Sequence, residues 1–261
     1  MKKYFISVLV TNFNKEFFLK NSLKKLCNQN YKNYEIILFD DCSTDNSLNI
    51  IKKYKKIKLI KNKIRKKKSK ALNQINGILT GFNKAKGEII CLMDSDDFFS
   101  KNKISEINKF YNINKSLNCA YNLTKNKIKE LEKKPRDKKF TIWPIIYPTS
   151  CISFRRNFFF KFRKFIYKNS FSNLEIDTRI VIFSNFFFGE NNILKKKLTT
   201  YNFDPNGITS NIKKFTIKWW IRRSEAFNYL KIIQKAKKRK FIKSYDYILT
   251  TIFTKIIKLI Y

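Results

Sequence analysis

Apolar and polar positions switch between two periods along the first hundred residues. Phe5–Val10 is a continuous β-rich run that stops at Thr11-Asn12-Phe13-Asn14. Tyr34–Phe39 is a second run and stops at Asp40-Asp41-Cys42-Ser43-Thr44-Asp45, and Ile57–Lys61 is a shorter third. Glu88–Met93 is the fourth, running from Gly87 straight into Asp94-Ser95-Asp96-Asp97. Short apolar runs closed by polar turns read as strands buried on both faces. Between them, residues 15–28, 45–54 and 69–85 carry helical spacing, as at Phe17, Phe18, Leu19, Leu23 and Leu26. Ser43 or Thr44 is placed to cap the second helix. Alternating strands and helices predict right-handed crossovers and an α/β fold with a mostly parallel, Rossmann-like sheet flanked by helices.

The pattern loosens after residue 100. Cys119–Thr124, Phe140–Ile142 and Thr199–Phe203 read as further strands, and Ile180–Phe188 as an apolar helix. Trp143-Pro144 and Tyr147-Pro148 form a rigid aromatic loop. Asp204-Pro205-Asn206-Gly207 is a turn, followed by a loop over 208–211 suited to closing over a ligand. From Lys213 to Tyr261 the spacing is helical again, with aromatic and basic residues interleaved. The expected organisation is one domain over 1–212 and a basic, amphipathic helical extension over 213–261. Such helices either pack on their own domain or lie peripherally on an anionic membrane.

Composition narrows the chemistry. Of 261 residues, 43% are hydrophobic, enough for a full core, and the net charge is +38. So basic a chain suits nucleic acid, an anionic membrane or an anionic substrate. No nucleic-acid reading motif accompanies the lysines, so any nucleic-acid binding is expected to be nonspecific and steeply salt-dependent. The alternative class is therefore a basic nucleic-acid- or membrane-binding protein without enzymatic activity. There is no histidine, which excludes Ser-His-Asp and Cys-His catalysis and imidazole zinc sites. Five widely spaced cysteines with no CxxC read as free thiols in a reducing compartment. The N-terminus reads as a strand, and no apolar run is long enough to span a bilayer. The expected location is cytoplasmic, with peripheral contact at the inner face of the membrane.

Two acidic clusters, Asp40–Asp41 and Asp94–Asp97, end strands two βα units apart, so they meet at one edge of a parallel sheet. Ligands of open α/β sheets bind past those strand ends. Converging acids there are costly unless a cation neutralises them. Asp94 and Asp96 are two residues apart, on one side of a strand or splayed around one ion. Hard oxygen ligands suit Mg²⁺ or Mn²⁺ bridging to phosphate. The alternative is a pair of solvated acidic turns capping helices. GxGxxG and P-loop motifs are absent.

Three stretches, ISVLVTNFN over Ile6–Asn14, EIILFDDCSTD over Glu35–Asp45 and GEIICLMDSDD over Gly87–Asp97, resemble the family 2 glycosyltransferases of the GT-A fold. Asn76-Gly77-Ile78, Pro148–Ser150, Phe154–Arg156 and Glu175–Asp177 extend the resemblance to about residue 210. It implies an inverting, metal-dependent transfer of a sugar from a nucleotide-diphosphate donor to a glycan or lipid-linked acceptor, as in surface polysaccharide synthesis. Position by position, it implies that Asp41, with Asp40 beside it, contacts the nucleobase or ribose. Thr11, Asn12 and Asn14 would line the nucleotide pocket, and Lys70 and Asn73 the pyrophosphate. Asp94, Ser95 and Asp96 correspond to the DxD-type motif, with Asp94 and Asp96 as metal ligands. The base would be Asp177 or Glu175. The family often carries an adjacent Glu-Asp pair, whereas Ile176 separates the two acids here.

Overall fold

The computed structural model describes residues 1–65, 69–126, 137–167, 169–210 and 212–260. Lys66, Lys67 and Lys68 of the basic loop, Asn211 of the expected closing loop and Tyr261 lie outside the described residues.

The first half follows the predicted alternation. Strands β1 (Ile6–Asn12), β2 (Tyr34–Asp40), β3 (Ile57–Lys61) and β4 (Ile89–Asp94) are joined by helices α1 (Glu16–Cys27), α2 (Ser47–Lys52) and α3 (Lys70–Lys84). The four strands are parallel in the order β3-β2-β1-β4. Register pairs Thr11 with Asp94 and Asn12 with Asp40, so all three polar strand ends arrive at one level.

The second half is mixed. It contains β5 (Phe98–Phe99), α4 (Lys103–Ile113), β6 (Cys119–Thr124), β7 (Ile152–Arg155), α5 (Arg156–Phe162), α6 (Ile176–Phe183), β8 (Asn192–Thr200), α7 (Ile217–Ala236) and α8 (Tyr245–Ile260). The sheet continues from β4 as β7-β6-β8-β5. β7 runs antiparallel to β4 and β6, while β6 and β8 are parallel with a register shift at Asn122–Leu123.

Period-two alternation divides the core between the two faces of the sheet. Val8, Val10, Ile36, Leu38, Cys91 and Met93 pack on α1 and α4. Leu9, Ile37, Ile90 and Leu92 pack on the other face, with α3, α5, α6 and α7. Gly77 lets α3 lie close to β1 and β2: a Cβ there would stand 2.8 Å from Phe39 Cδ1 and 3.1 Å from Thr11 Cγ2. Cys91, Cys119 and Cys151 are free, and burial pushes the Cys91 and Cys119 thiols up to about 12. They are inert core residues.

Several sequence expectations change. Phe140–Ile142 is not a strand; Trp143 in that loop packs against Phe227 at 5.3 Å. The strand expected at Thr199–Phe203 begins earlier, at Asn192, and ends at Thr200. Ser43 and Thr44 do not cap α2, whose N-cap is Asn46; they bond Asp40 and Asn14 instead. The apolar helix expected over 180–188 starts at Ile176 and gives way to a π-helical turn at Ser184. Ala226, Phe227, Leu230 and Ile233 of α7 belong to the main core. No helix among the described residues is long and apolar enough to cross a membrane.

Candidate active site

The polar loops after β1, β2 and β4 open into a cavity of about 360 Å³. Every residue singled out from the sequence lines it except Asp40. Asp40 is 1% exposed and turned into its own loop. Its carboxylate accepts hydrogen bonds from Asn12 Nδ2 (2.8 Å), the Ser43 amide (3.0 Å) and the Ser43 hydroxyl (2.6 Å). Asp40 therefore shapes the loop that presents Asp41 rather than facing the cavity.

The Asp41 amide donates to the Asn12 carbonyl at 2.9 Å, fixing the acid beside β1. Its carboxylate accepts from Asn62 Nδ2 and Arg65 Nε, both at 2.8 Å. The Arg65 guanidinium lies 3.5 Å over the Phe13 ring. Asn14 and Cys42 hold left-handed backbone angles, φ 50° and 62°. Asparagine tolerates that region; for Cys42 it costs about 1 kcal/mol.

Asp94 accepts from Thr11 Oγ1 (3.1 Å) and Gln74 Nε2 (2.7 Å), and its amide donates to Ser150 Oγ (2.9 Å). Ser95 Oγ donates to Asn12 Oδ1 at 2.7 Å, which locks the β1 and β4 loops together. Burial first, then the charge of Asp96, raises the Asp94 carboxyl to about 6. Lys15 donates to Asp96 at 2.7 Å and also pairs with Asp204. Burial opposes the Lys15 charge, yet the two carboxylates outweigh it and hold its pKa above the ordinary value. Lys70 donates to the Asn206 carbonyl at 2.9 Å. Lys15 and Lys70 thus both fasten the 204–210 loop to the cavity rim. Asp97 points inward, 1% exposed, accepts from the Asn202 amide at 3.0 Å, and is lifted to about 8 chiefly by burial.

The Asp94–Asp96 pair fits a hard divalent cation. Both offer oxygen donors at the cavity, and Asp96 adds to burial in raising the Asp94 carboxyl. No group of three or more acidic, Cys or His side chains converges on a metal site among the described residues. Two carboxylates leave the remaining coordination to phosphate and water, as Mg²⁺ prefers.

Glu175 and Asp177, at the start of α6, line the same cavity. They differ in partners. Glu175 is held by Arg222, whose Nε lies 2.8 Å from both carboxylate oxygens. Asp177 accepts from Thr178, through its amide at 2.5 Å and its hydroxyl at 3.3 Å. Burial, then the neighbouring Glu175 charge, raises Asp177 to about 7, with Arg222 opposing. Arg179 orders the loop before these acids. Wholly buried, it donates to the carbonyls of Leu174 (3.0 Å), Ile166, Tyr167 (3.1 Å), Ser170 (2.9 Å) and Phe171 (2.7 Å).

Lys15, Arg65, Gln74, Tyr201, Asn202 and Asp204 also line the cavity and carry no signal of their own in the sequence. Only their position after known strand ends could have suggested Lys15 or Asn202.

The profile of "Glycosyl transferase family 2" matches residues 7–174, well over half the chain. The chain belongs to that family. The match covers every lining acid up to Asp96 and stops one residue before Glu175. Sequence relatives include an uncharacterized glycosyltransferase of Haemophilus influenzae, 36% identical over 105 residues, 39% of this chain and 40% of the relative. Another is the Escherichia coli UDP-Glc:alpha-D-GlcNAc-diphosphoundecaprenol beta-1,3-glucosyltransferase WfgD, 30% identical over 106 residues, 40% of each chain. The aligned part thus spans well under half of these relatives. The fold is shared with the Staphylococcus aureus TarS 1-349 structure in complex with UDP-GlcNAc, with a TM-score of 0.58 and 16% identity over 86% of this chain and 66% of that one. It is also shared with the mannosyltransferase PcManGT of Pyrobaculum calidifontis in complex with GDP-Man and Mn²⁺, at 0.60 and 16%, over 92% and 66%. The architecture is GT-A.

Proposed function

We propose that this family 2 protein is an inverting glycosyltransferase. It moves a sugar from a nucleoside-diphosphate donor to a hydroxyl of a glycan or lipid-linked acceptor, in the assembly of a surface polysaccharide. The observation that carries the reading is that Asp41, Asp94, Asp96 and Asp177 all line one cavity. The names of the relatives support the substrate class: WfgD is named for a diphosphoundecaprenol acceptor, and TarS and PcManGT are described with nucleotide sugars.

Asp41, with Asn62 and Arg65 behind it and Phe13 beside it, receives the nucleoside. Thr11, Asn12, Asn14 and Asn73 line the path to the diphosphate, with Ser95 bracing Asn12 and Lys70 at the rim. Asp94 and Asp96 hold Mg²⁺ or Mn²⁺, which when bound compensates the charge of the departing diphosphate. Asp177 takes the proton of the acceptor hydroxyl as its oxygen bonds to the anomeric carbon and the bond to the diphosphate oxygen breaks. A carboxyl raised to about 7 is a stronger base than an ordinary aspartate and is still ionised at neutral pH in a useful fraction. Glu175, neutralised by Arg222, tunes that base rather than acting as one.

Purified protein with Mn²⁺ and a panel of nucleotide sugars is expected to release nucleoside diphosphate, and Asp96→Ala to abolish the release. Equal release from wild type and Asp96→Ala would refute the metal assignment; no release or binding with any donor would refute the transferase reading.

A further inference from the structure

Helix α8 is amphipathic in the opposite sense to a helix docked on its own domain. Its two buried residues are both threonines, Thr250 and Thr254. Polar bonds fasten it, together with Tyr247, whose ring meets Phe227 at 5.3 Å. Arg223 donates to Thr250 Oγ1 at 3.0 Å and to Asp246 at 2.6 Å, and Thr141 donates to Asp246 at 2.6 Å. The apolar side chains face away. Ile248, Ile252, Ile256 and Leu259 are 42, 49, 46 and 87% exposed. Their spacing of four, four and three residues makes one stripe along the helix. Lys255 and Lys258, both exposed, run along its flank.

The stripe does not end with α8. Phe253 stacks on Trp220 at 4.5 Å, Trp220 touches Trp219 at 4.6 Å, and Trp219 touches Phe215 at 5.3 Å, which is 73% exposed. Behind the buried Trp220, the exposed Phe215 and Ile217 extend the apolar ridge to the start of α7, where Lys213, Lys214 and Lys218 are also exposed. Ridges of this size on a soluble surface mark contact sites.

We propose that this ridge seats on an anionic lipid bilayer, with α8 lying in the interface plane. Charge selects the occupant. A second copy would bring another +38 to the contact, and a purely apolar partner would leave the lysine flank unused. Anionic headgroups over an acyl boundary satisfy both the stripe and its basic border. The buried face of α8 is made of threonines and its exposed face of isoleucine and leucine, the arrangement of a helix that lies in the interface plane. α7 carries both the aromatic end of the ridge and Arg222, the partner of Glu175. Seating the ridge thus holds the acceptor side of the cavity near the bilayer, where a lipid-linked hydroxyl would be presented. Binding itself does not depend on the transferase reading.

The test is flotation of the full chain with vesicles of phosphatidylcholine alone or with about one third phosphatidylglycerol, read with tryptophan fluorescence. A chain of this charge will adsorb electrostatically, so binding is also measured at about 0.5 M salt, where charges are screened within about 4 Å. The variant is Ile252→Gln/Ile256→Gln/Leu259→Gln, which keeps the charge; a second, Phe17→Gln, removes an equally exposed aromatic on α1. Wild type and Phe17→Gln are expected to float with anionic vesicles, to keep part of that binding in high salt and to show a blue-shifted emission. The triple variant is expected to lose the salt-resistant fraction by about tenfold or more. Salt-resistant binding retained by the triple variant overturns the proposal. So does wild-type binding that vanishes entirely with salt, or a wild-type dimer in sedimentation that the triple variant dissociates. Unchanged circular dichroism and melting of the variant exclude misfolding as the cause.

Discussion

Replacing Asp177 with asparagine keeps the side-chain shape but removes its capacity to take a proton. General-base assistance contributes about 10²–10⁴ in rate, which is about 3–5 kcal/mol of barrier. The structure adds a pH signature. Asp177 is raised to about 7 by burial and by the Glu175 charge, with Arg222 opposing. A base works only when ionised, so the wild-type rate should climb with unit slope up to about pH 7 and level above it. At pH 6 it should stand at about one tenth of the plateau. Asp177→Asn should lower the plateau by about 10²–10⁴ and flatten that limb. Arg222→Met removes the cation that favours the Asp177 carboxylate, so it should move the limb to higher pH and slow the enzyme most below neutrality. Initial rates of nucleoside-diphosphate release, measured with Mn²⁺ from about pH 5 to pH 9, read all three. The reasoning is refuted if Asp177→Asn keeps both the wild-type rate and the limb. If Glu175→Gln then removes both, the base is Glu175.

Two further substitutions test the framework around the site. Lys15→Met leaves Asp96 and Asp204 facing each other without their shared cation, and should lower the urea midpoint by the equivalent of about 1–2 kcal/mol while exposing the 204–210 loop to protease; unchanged proteolysis there would show that Lys15 does not tether the loop. Arg179→Met strands five carbonyls of the loop before Glu175 and should cost about 3 kcal/mol or more, and Arg179→Lys should fail to restore it because an ammonium cannot reach a planar fan of acceptors; full stability of the lysine variant in urea would contradict this.

Local pattern was enough for β1, β2 and β4, because strands buried on both faces are dominated by apolar residues, as Ile36–Phe39 is. It was enough, too, for the acids at their ends, since parallel pairing with β1 carries the ends of β2 and β4 to the same edge of the sheet. Elements whose stability comes from distant partners were hidden. β5 is two residues long and exists only by pairing with β8. The Lys195-Lys196-Lys197 run masks the middle of β8, where the lysines are exposed and Lys196 pairs with Glu106. Asp40 and Asp41 look alike in sequence; only the Ser43 and Asn12 hydrogen bonds turn one inward and leave the other on the cavity. Lys15 and Asp204 lie 189 residues apart and meet only through closure of the last loop. The helical period of 245–260 was readable. Which face it would bury was not, because Thr250 and Thr254 face the domain in place of the isoleucines.

This cavity is proposed to take a nucleoside-diphosphate sugar together with a divalent cation that Asp94 and Asp96 would hold. Thermal melting of wild type and Asp96→Ala against a panel of nucleoside-diphosphate sugars, each with and without Mn²⁺, tests it most directly. At 100 times its Kd a donor adds about 2.7 kcal/mol. The account predicts a rise in Tm with one class of nucleotide sugar that needs Mn²⁺ and is lost in Asp96→Ala. No shift with any donor, or an equal shift in Asp96→Ala, would contradict it.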